Sequence, residues 1–235
     1  MGLQITTRAS DSPWIDVVWT STSADVREMT SVATARWGLV FWEQDGRRFA
    51  AVTGPETSTG HAPVPQWAQF VGIEFAIGTF LRDLPVPALV DGGVDLPGTT
   101  RTSFRLVGSR WEIPGPDDAE ALVDRLVRDG VLVRDPLVAE VLRGRRPPAS
   151  ERTLERRFRA ATGLTRGAVH RIERARAAAH LIAAGKPPAE VAAALGFYDQ
   201  PHLARALRRY VGRTANELRS GTGGALALDL PQTTS

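Results

Sequence analysis

Residues 196–214 read GFYDQPHLARALRRYVGRT. Leu203, Leu207 and Tyr210 fall at i, i+4 and i+7, so they make one inward face of a helix. Gln200, His202, Arg205, Arg208 and Arg209 point the other way. Just before this helix, PAEVAAALGF (188–197) supplies a short helix whose alanine-rich face permits close approach, with Gly196 in the turn. A helix, a glycine-containing turn and a basic second helix make the helix-turn-helix layout, in which the second helix enters the major groove of DNA. An arginine-rich face by itself is most often only a solvated surface. The rest of the chain has to decide.

Charge is divided sharply along the sequence. Residues 1–135 carry 12 arginines and no lysine against 18 carboxylates, a net −6; residues 136–220 carry 17 basic residues against seven acidic ones, a net +10. Such asymmetry points to a polyanion as the partner of the C-terminal part alone. All six tryptophans lie on the acidic side. The 235 residues hold no cysteine, which excludes disulfides, thiolate zinc sites, iron–sulfur clusters and cysteine nucleophiles. There is no run of 18 apolar residues and no apolar stretch in MGLQITTRASDSPW (1–14), so a cytoplasmic protein with no membrane partner is the expectation.

The acidic part reads mainly as strands. WIDVVWT (14–20) is rich in β-formers, and RWGLVFWEQDGRRFAAVTG (36–54) is two such runs around the turn signal Asp45-Gly46. In 69–78, Val71, Ile73, Phe75 and Ile77 alternate with Phe70, Gly72, Glu74 and Ala76. A further strand is expected at 103–107. At residue 117 the period changes to that of a helix, with Asp117 as N-cap, an apolar stripe of Ala119, Leu122, Val123 and Leu126, and Gly130 at its end. The fold class expected is α+β: a mainly-β barrel or sandwich-like sensor or dimerisation domain over 1–115, a helical connector over 116–135, an all-α domain over 136–220 and a disordered tail over 221–235.

Within the all-α part, SERTLERRFRAATG (150–163) repeats the layout of DQPHLARALRRYVG (199–212): a polar cap, apolar side chains four apart, arginines outside and a closing glycine. Between them, TRGAVHRIERARAAAHLIAAG (165–185) spells a helix of about 30 Å, the length that sets two reading helices roughly one duplex turn apart. The competing reading, coincidental amphipathicity in an arginine-rich bundle, leaves the charge split unexplained.

These stretches resemble the double helix-turn-helix domain of the AraC family of bacterial transcription regulators, over about residues 136–219. ALGFYDQPHLARALRRYVGRT (194–214) is the most specific part. The resemblance implies promoter binding and control of transcription, with a first reader at Glu151, Arg152, Glu155 and Arg156 and a second at Gln200, Pro201, His202 and Arg205. It also implies a homodimer, for which the 117–129 stripe or the β-domain is the expected contact, and makes RNA polymerase a candidate partner. Two departures stand out. Only residues 143–149, ending GRRPPA, separate Leu142 from Ser150, so 136–143 must act as a scaffold helix through a longer, proline-stiffened turn in a shortened first module. Ala215 stands where a proline is common. Lack of cysteine excludes the methyl-transferring repair regulators that share this domain.

Arginine to guanine and glutamine to adenine are the direct-readout pairs open to Arg152, Arg156, Gln200 and Arg205. Arg159, Arg208, Arg209 and Arg171 suit phosphate contacts, which position without specifying. Glu155 can accept from cytosine but is better placed to pair with Arg159 at i+4. His202 serves a phosphate or the helix start equally well. Catalysis finds little support: His61, His170, His180 and His202 have no metal-ligand partner at helical spacing, and Lys186 is the only lysine, with no phosphate-binding glycine loop. No cofactor and no enzyme activity are expected; the alternative is a small-molecule-binding or enzymatic N-terminal domain with DNA binding as an accessory. As effector-binding residues, Trp37 and Trp42 would line an apolar pocket with Glu74 as its polar anchor, although most such tryptophans are ordinary core.

Overall fold

The alternating runs of the acidic half form strands, as their period requires. The computed structural model describes residues 4–228. In chain order it contains β1 (Gln4–Arg8), β2 (Ile15–Thr22), β3 (Glu28–Ser31), β4 (Gly38–Gln44), β5 (Arg47–Thr53), β6 (Gly60–Pro63), β7 (Gln69–Phe75), β8 (Thr79–Leu81), β9 (Gly93–Asp95), β10 (Ser103–Leu106) and β11 (Ser109–Glu112), then α1 (Ala119–Arg128) and β12 (Leu132–Arg134). One antiparallel sheet runs β1-β2-β7-β4-β5-β9, and the pairs β3–β6, β8–β12 and β10–β11 stand apart from it. The sheet is open, so the expected barrel does not close. Asp45 (φ 50°) and Gly46 (φ 70°) turn β4 into β5, the positive-φ hairpin that the Asp-Gly signal encodes.

One sheet face carries Val18, Leu39, Phe41, Ile73 and Phe75 into a core shared with Leu122, Val123 and Leu126 of α1. Full burial of such side chains is worth roughly 1.5–3 kcal/mol each. The helix expected as a connector is therefore part of the β-half, and β12 behind it pairs with β8. Its apolar stripe is consumed inside the chain and is not free for dimerisation. Its N-cap is Asp118 rather than Asp117, and the Asp118 side chain makes no capping bond. Arg8 instead ties the helix to β1 by a forked pair with Glu120, at 2.7 and 2.8 Å.

The register of β2 decides what the other sheet face presents. A shift between Ile15 and Val17 sends both Ile15 and Val18 into the core. Val17, Trp19 and Ser21 consequently turn to the opposite face.

Beyond β12 the chain is helical: α2 (Pro136–Leu142), α3 (Glu151–Thr162), α4 (Arg166–Ala183), α5 (Pro188–Ala194), α6 (Gln200–Tyr210) and α7 (Ala215–Ser220). Unlike α1, most helices of this half begin on polar side chains that close an orphan backbone N–H. Asp135 caps α2, Ser150 caps α3, Thr165 caps α4 and Asp199 caps α6. The helix α7 was not legible from apolar periodicity, being too short, yet Thr214 and Glu217 form a capping box that marks its start.

The two halves share a core. Val32, Ala33 and Ala35, between β3 and β4, are buried with Phe158, Ile172, Leu203, Leu207 and Val211 of the helical half. The end of the chain contributes too. Thr30 of β3 exchanges backbone hydrogen bonds with Ala225 and Ala227, and Arg213, almost fully buried, donates to the Thr30 hydroxyl at 2.9 Å. Residues 225–228, expected in a disordered tail, are thus held against β3; residues 229–235 lie outside the described part.

Candidate nucleic-acid interface

The helices α3 and α6 correspond position for position. Ser150 and Asp199 cap them, Leu154 and Leu203 begin their buried stripes, Phe158 and Leu207 continue them, and Gly163 and Gly212 end them at the same φ of 74°. At about 100° per residue, the side directly opposite each buried stripe belongs to Arg152, Arg156 and Arg159 on α3 and to Pro201, Arg205 and Arg208 on α6. All six are exposed. The buried stripes pack against α4 and its neighbours, so the two arginine rows are fixed to one scaffold.

Individual side chains differ in how much freedom they keep. Among the described residues Arg152, Arg156, Arg205 and Arg208 have no acidic partner within 4 Å, whereas Arg159 lies 3.9 Å from Glu155, one turn back. Glu151 pairs with Arg166 at 3.2 Å. His202 is committed to the helix start: its backbone N–H donates to Asp199 at 2.6 Å and its Nδ1 accepts from the Tyr198 N–H at 3.3 Å. Its ring also meets Phe197 edge-on. Arg209 is exposed, with its guanidinium over the Tyr210 ring. Gln200 and Pro201 occupy the exposed first turn. Tyr198 was missed by sequence reasoning; it is 92 % exposed beside the start of α6, where an aromatic ring normally seeks cover. The pattern Gly-Phe-Tyr-Asp hinted at it, since only one of two adjacent aromatics can face the core.

The turn before α6 is held from below. Arg174 of α4 donates to the Gly196 carbonyl at 3.1 Å and stacks over Phe197 at 4.3 Å. Around α3, Asp135 both caps α2 and binds Arg157 at 2.6 Å, so the short α2 is tied to α3 across the 143–150 connection.

Both arginine-bearing helices are also docked on the β-half. The Thr59 and Ala33 N–H groups donate to the carbonyls of Arg209 and Tyr210, and Gly212 lies so close to Thr59 and Thr30 that a Cβ there would sit 2.5 Å from the Thr59 hydroxyl. Gly163 similarly abuts Val90. Arg36, at the entry to β4, donates two hydrogen bonds to Glu173 of α4, at 2.8 and 2.9 Å, and its Nε lies 2.6 Å from Asp16. Burial disfavours the Arg36 charge, but Glu173 and Asp16 more than compensate and hold its pKa above the ordinary value.

Between the sheet and α4 lies a cavity of about 610 Å³. Trp19, Val40 and Phe70 form part of its floor, while Arg176, Ala177 and His180 of α4 close it from the helical side. Glu74, one of the residues expected at an effector site, lines it; Trp37 and Trp42 do not. Trp37 is core, its indole stacked on Phe75 with its N–H bonded to the Thr79 carbonyl, and Trp42 stacks on Phe49. Burial pushes the Glu56 carboxyl at the cavity edge up, against the hydrogen bond from Ser31, with Asp91 and Glu74 adding to the rise. Among the described residues no three histidine or carboxylate side chains gather to hold a metal, and no helix is long and apolar enough to cross a membrane.

A family model described as helix-turn-helix domain matches residues 145–221, from the connection before α3 through α7. No curated protein and no solved structure matches the chain. Residues 145–221 thus match a helix-turn-helix domain of the AraC type, which supports a DNA-binding transcription regulator.

Proposed function

We propose that the chain reads a specific operator with α3 and α6 in two successive major grooves, α4 serving as the spacer, and that its β-half adjusts this reading when a small molecule binds. The observation that carries it is the duplicated arginine row, matched position for position on two helices seated on the same α4. Arg152, Arg156, Gln200 and Arg205 are assigned to base edges, where a bidentate arginine discriminates guanine by about 1–3 kcal/mol. Arg159, Arg208 and Arg209 are assigned to phosphates. Glu155 serves Arg159, while Glu151, Pro201 and His202 shape the starts of the two helices. Ligand response is supported by the position of α4, which is at once the spacer and one wall of the cavity.

A homodimer on a repeated site fits this reading, with contacts on surfaces other than α1; RNA polymerase at the adjoining promoter and a cytoplasmic location follow from the same role. Selection of binding sites from random duplexes with the full-length protein tests it. The expected result is an enriched site with two short blocks roughly one helical turn apart. Recovery of unrelated sequences after repeated rounds would refute it.

A further inference from the structure

A cavity of about 610 Å³ falls within the range of small-molecule sites. Its floor is built for a flat apolar body. A Cβ at Gly72 would lie 2.0 Å from the Trp19 ring, so only a glycine there lets the indole lie down across β7. The free face of that ring, with Val17, Val40 and Phe70 around it, lines the cavity.

The charges of the lining are unbalanced. Asp16, Glu56, Glu74 and Glu173 outnumber the two arginines of the lining, Arg36 and Arg176, with His180 of α4 as the remaining basic side chain there. Arg36 is taken up by Glu173 and Asp16, and Arg176 donates to the Ala33 carbonyl. Among the described residues no basic group lies within 4 Å of Glu74, which is half-buried. Ser21, on the same face as Trp19 and only 6 % exposed, has a buried hydroxyl with no hydrogen-bond partner among the described residues. A buried hydroxyl without a partner and a half-buried carboxylate that feels Arg36 only at longer range both cost stability unless something completes them.

We propose that this cavity binds a small organic cation with a flat apolar body, the body lying on Trp19 and the protonated nitrogen held by Glu74. The Ser21 hydroxyl accepts or donates a further hydrogen bond to the ligand. The proposal deepens the regulatory reading above and rests on it for its effect on DNA, because the ligand would touch α4 through Arg176 and Ala177. An anion is the wrong partner, since four carboxylates line the cavity.

Titration calorimetry on the full-length protein without DNA tests it, using three probes of one shape: 2-naphthylmethylammonium, 2-naphthylmethanol and 2-naphthoate. The ammonium is expected to bind at one site per chain with a Kd at least tenfold below those of the alcohol and the carboxylate. Glu74→Gln is expected to raise the ammonium Kd at least tenfold while leaving the alcohol's unchanged. Ala177→Leu, which fills the cavity from α4, is expected to abolish ammonium binding. Equal affinity for ammonium and alcohol, a preference for the carboxylate, absence of binding, or full binding by Ala177→Leu would each overturn the proposal. Because no DNA is present, a negative result leaves the operator reading standing, and a failed site selection leaves the cavity result standing.

Discussion

Arg36 and Glu173 join the sheet to the spacer helix through two parallel hydrogen bonds, at 2.8 and 2.9 Å, with the Arg36 side chain only 13 % exposed. The pair links the half that carries the cavity to the helix on which both arginine rows are seated. Removing Arg36 would leave Glu173 and Asp16 facing each other's charge without a cation. Breaking a fully buried pair costs about 3–5 kcal/mol, and the partial exposure of Glu173 lowers the expectation to roughly 2–3 kcal/mol for Arg36→Ala. Urea unfolding of the full-length chain measures this. A change below about 0.5 kcal/mol, the usual size of a surface substitution, would mean that the clasp carries no load.

Glu120 makes a pH prediction. Hydrogen bonds from Arg8 hold its carboxyl down at about 2, against an ordinary value of 4.5, and burial opposes them only in part. A folded-state value below the unfolded one means that the unfolded chain binds the proton first, so the stabilisation is complete above pH 4.5 and is lost as pH falls toward 2. Glu120→Gln should flatten the acid limb of the stability curve across that window and leave its neutral shape unchanged. Identical acid limbs in the two proteins would contradict the pairing.

Gly196 and Gly212 both sit at positive φ, 68° and 74°, yet only Gly212 has neighbours where a side chain would go. Gly196→Ala should cost about 1–2 kcal/mol, the price of a left-handed residue. Gly212→Ala should cost clearly more, because its Cβ would also have to displace Thr59 and Thr30 at the junction. Denaturant midpoints of the two variants decide it; equal losses would show that the junction is loose.

Much of this was legible in the sequence, for identifiable reasons. The arginine rows, the caps at Ser150 and Asp199 and the ends at Gly163 and Gly212 are local signals, and local signals survive folding. The Thr214–Glu217 capping box was equally local and was passed over because no apolar period followed it. What could not be read is whatever depends on long-range packing. Periodicity shows that α1 has an apolar stripe but not what covers it, and the sheet takes it. Alternation cannot foresee the register shift at Ile15/Val17, which turns Trp19 to the cavity, nor the depth that makes Trp37 core. The shared core rests on small residues, Ala33 and Ala35, which look like loop until the helices close over them.

That shared core changes how DNA affinity should be measured. A fragment of the helical half alone would expose the surface that Val32, Ala33 and Ala35 cover, so the full chain is the right material. Each phosphate neutralised adds about 0.9 to the slope of log affinity against log salt. With Arg159, Arg208 and Arg209 all engaged, the slope should exceed roughly 2.5 in magnitude. An affinity that stays constant between low and physiological salt would exclude the phosphate contacts.

The most direct test compares Arg205→Ala with Arg208→Ala, each on the selected operator and on random duplex. Arg205 stands opposite the buried stripe at the middle of α6, about a turn and a half beyond Gln200 and still on the face turned to base edges; Arg208 lies a turn later, where the helix leaves the groove. Arg205→Ala should cost about 1–3 kcal/mol on the operator, relax preference at one base pair and leave random binding nearly unchanged. Arg208→Ala should weaken both duplexes alike and lower the salt slope by roughly one. If Arg205→Ala instead weakens operator and random DNA equally, α6 is a phosphate clamp and the account of how this chain reads sequence is wrong.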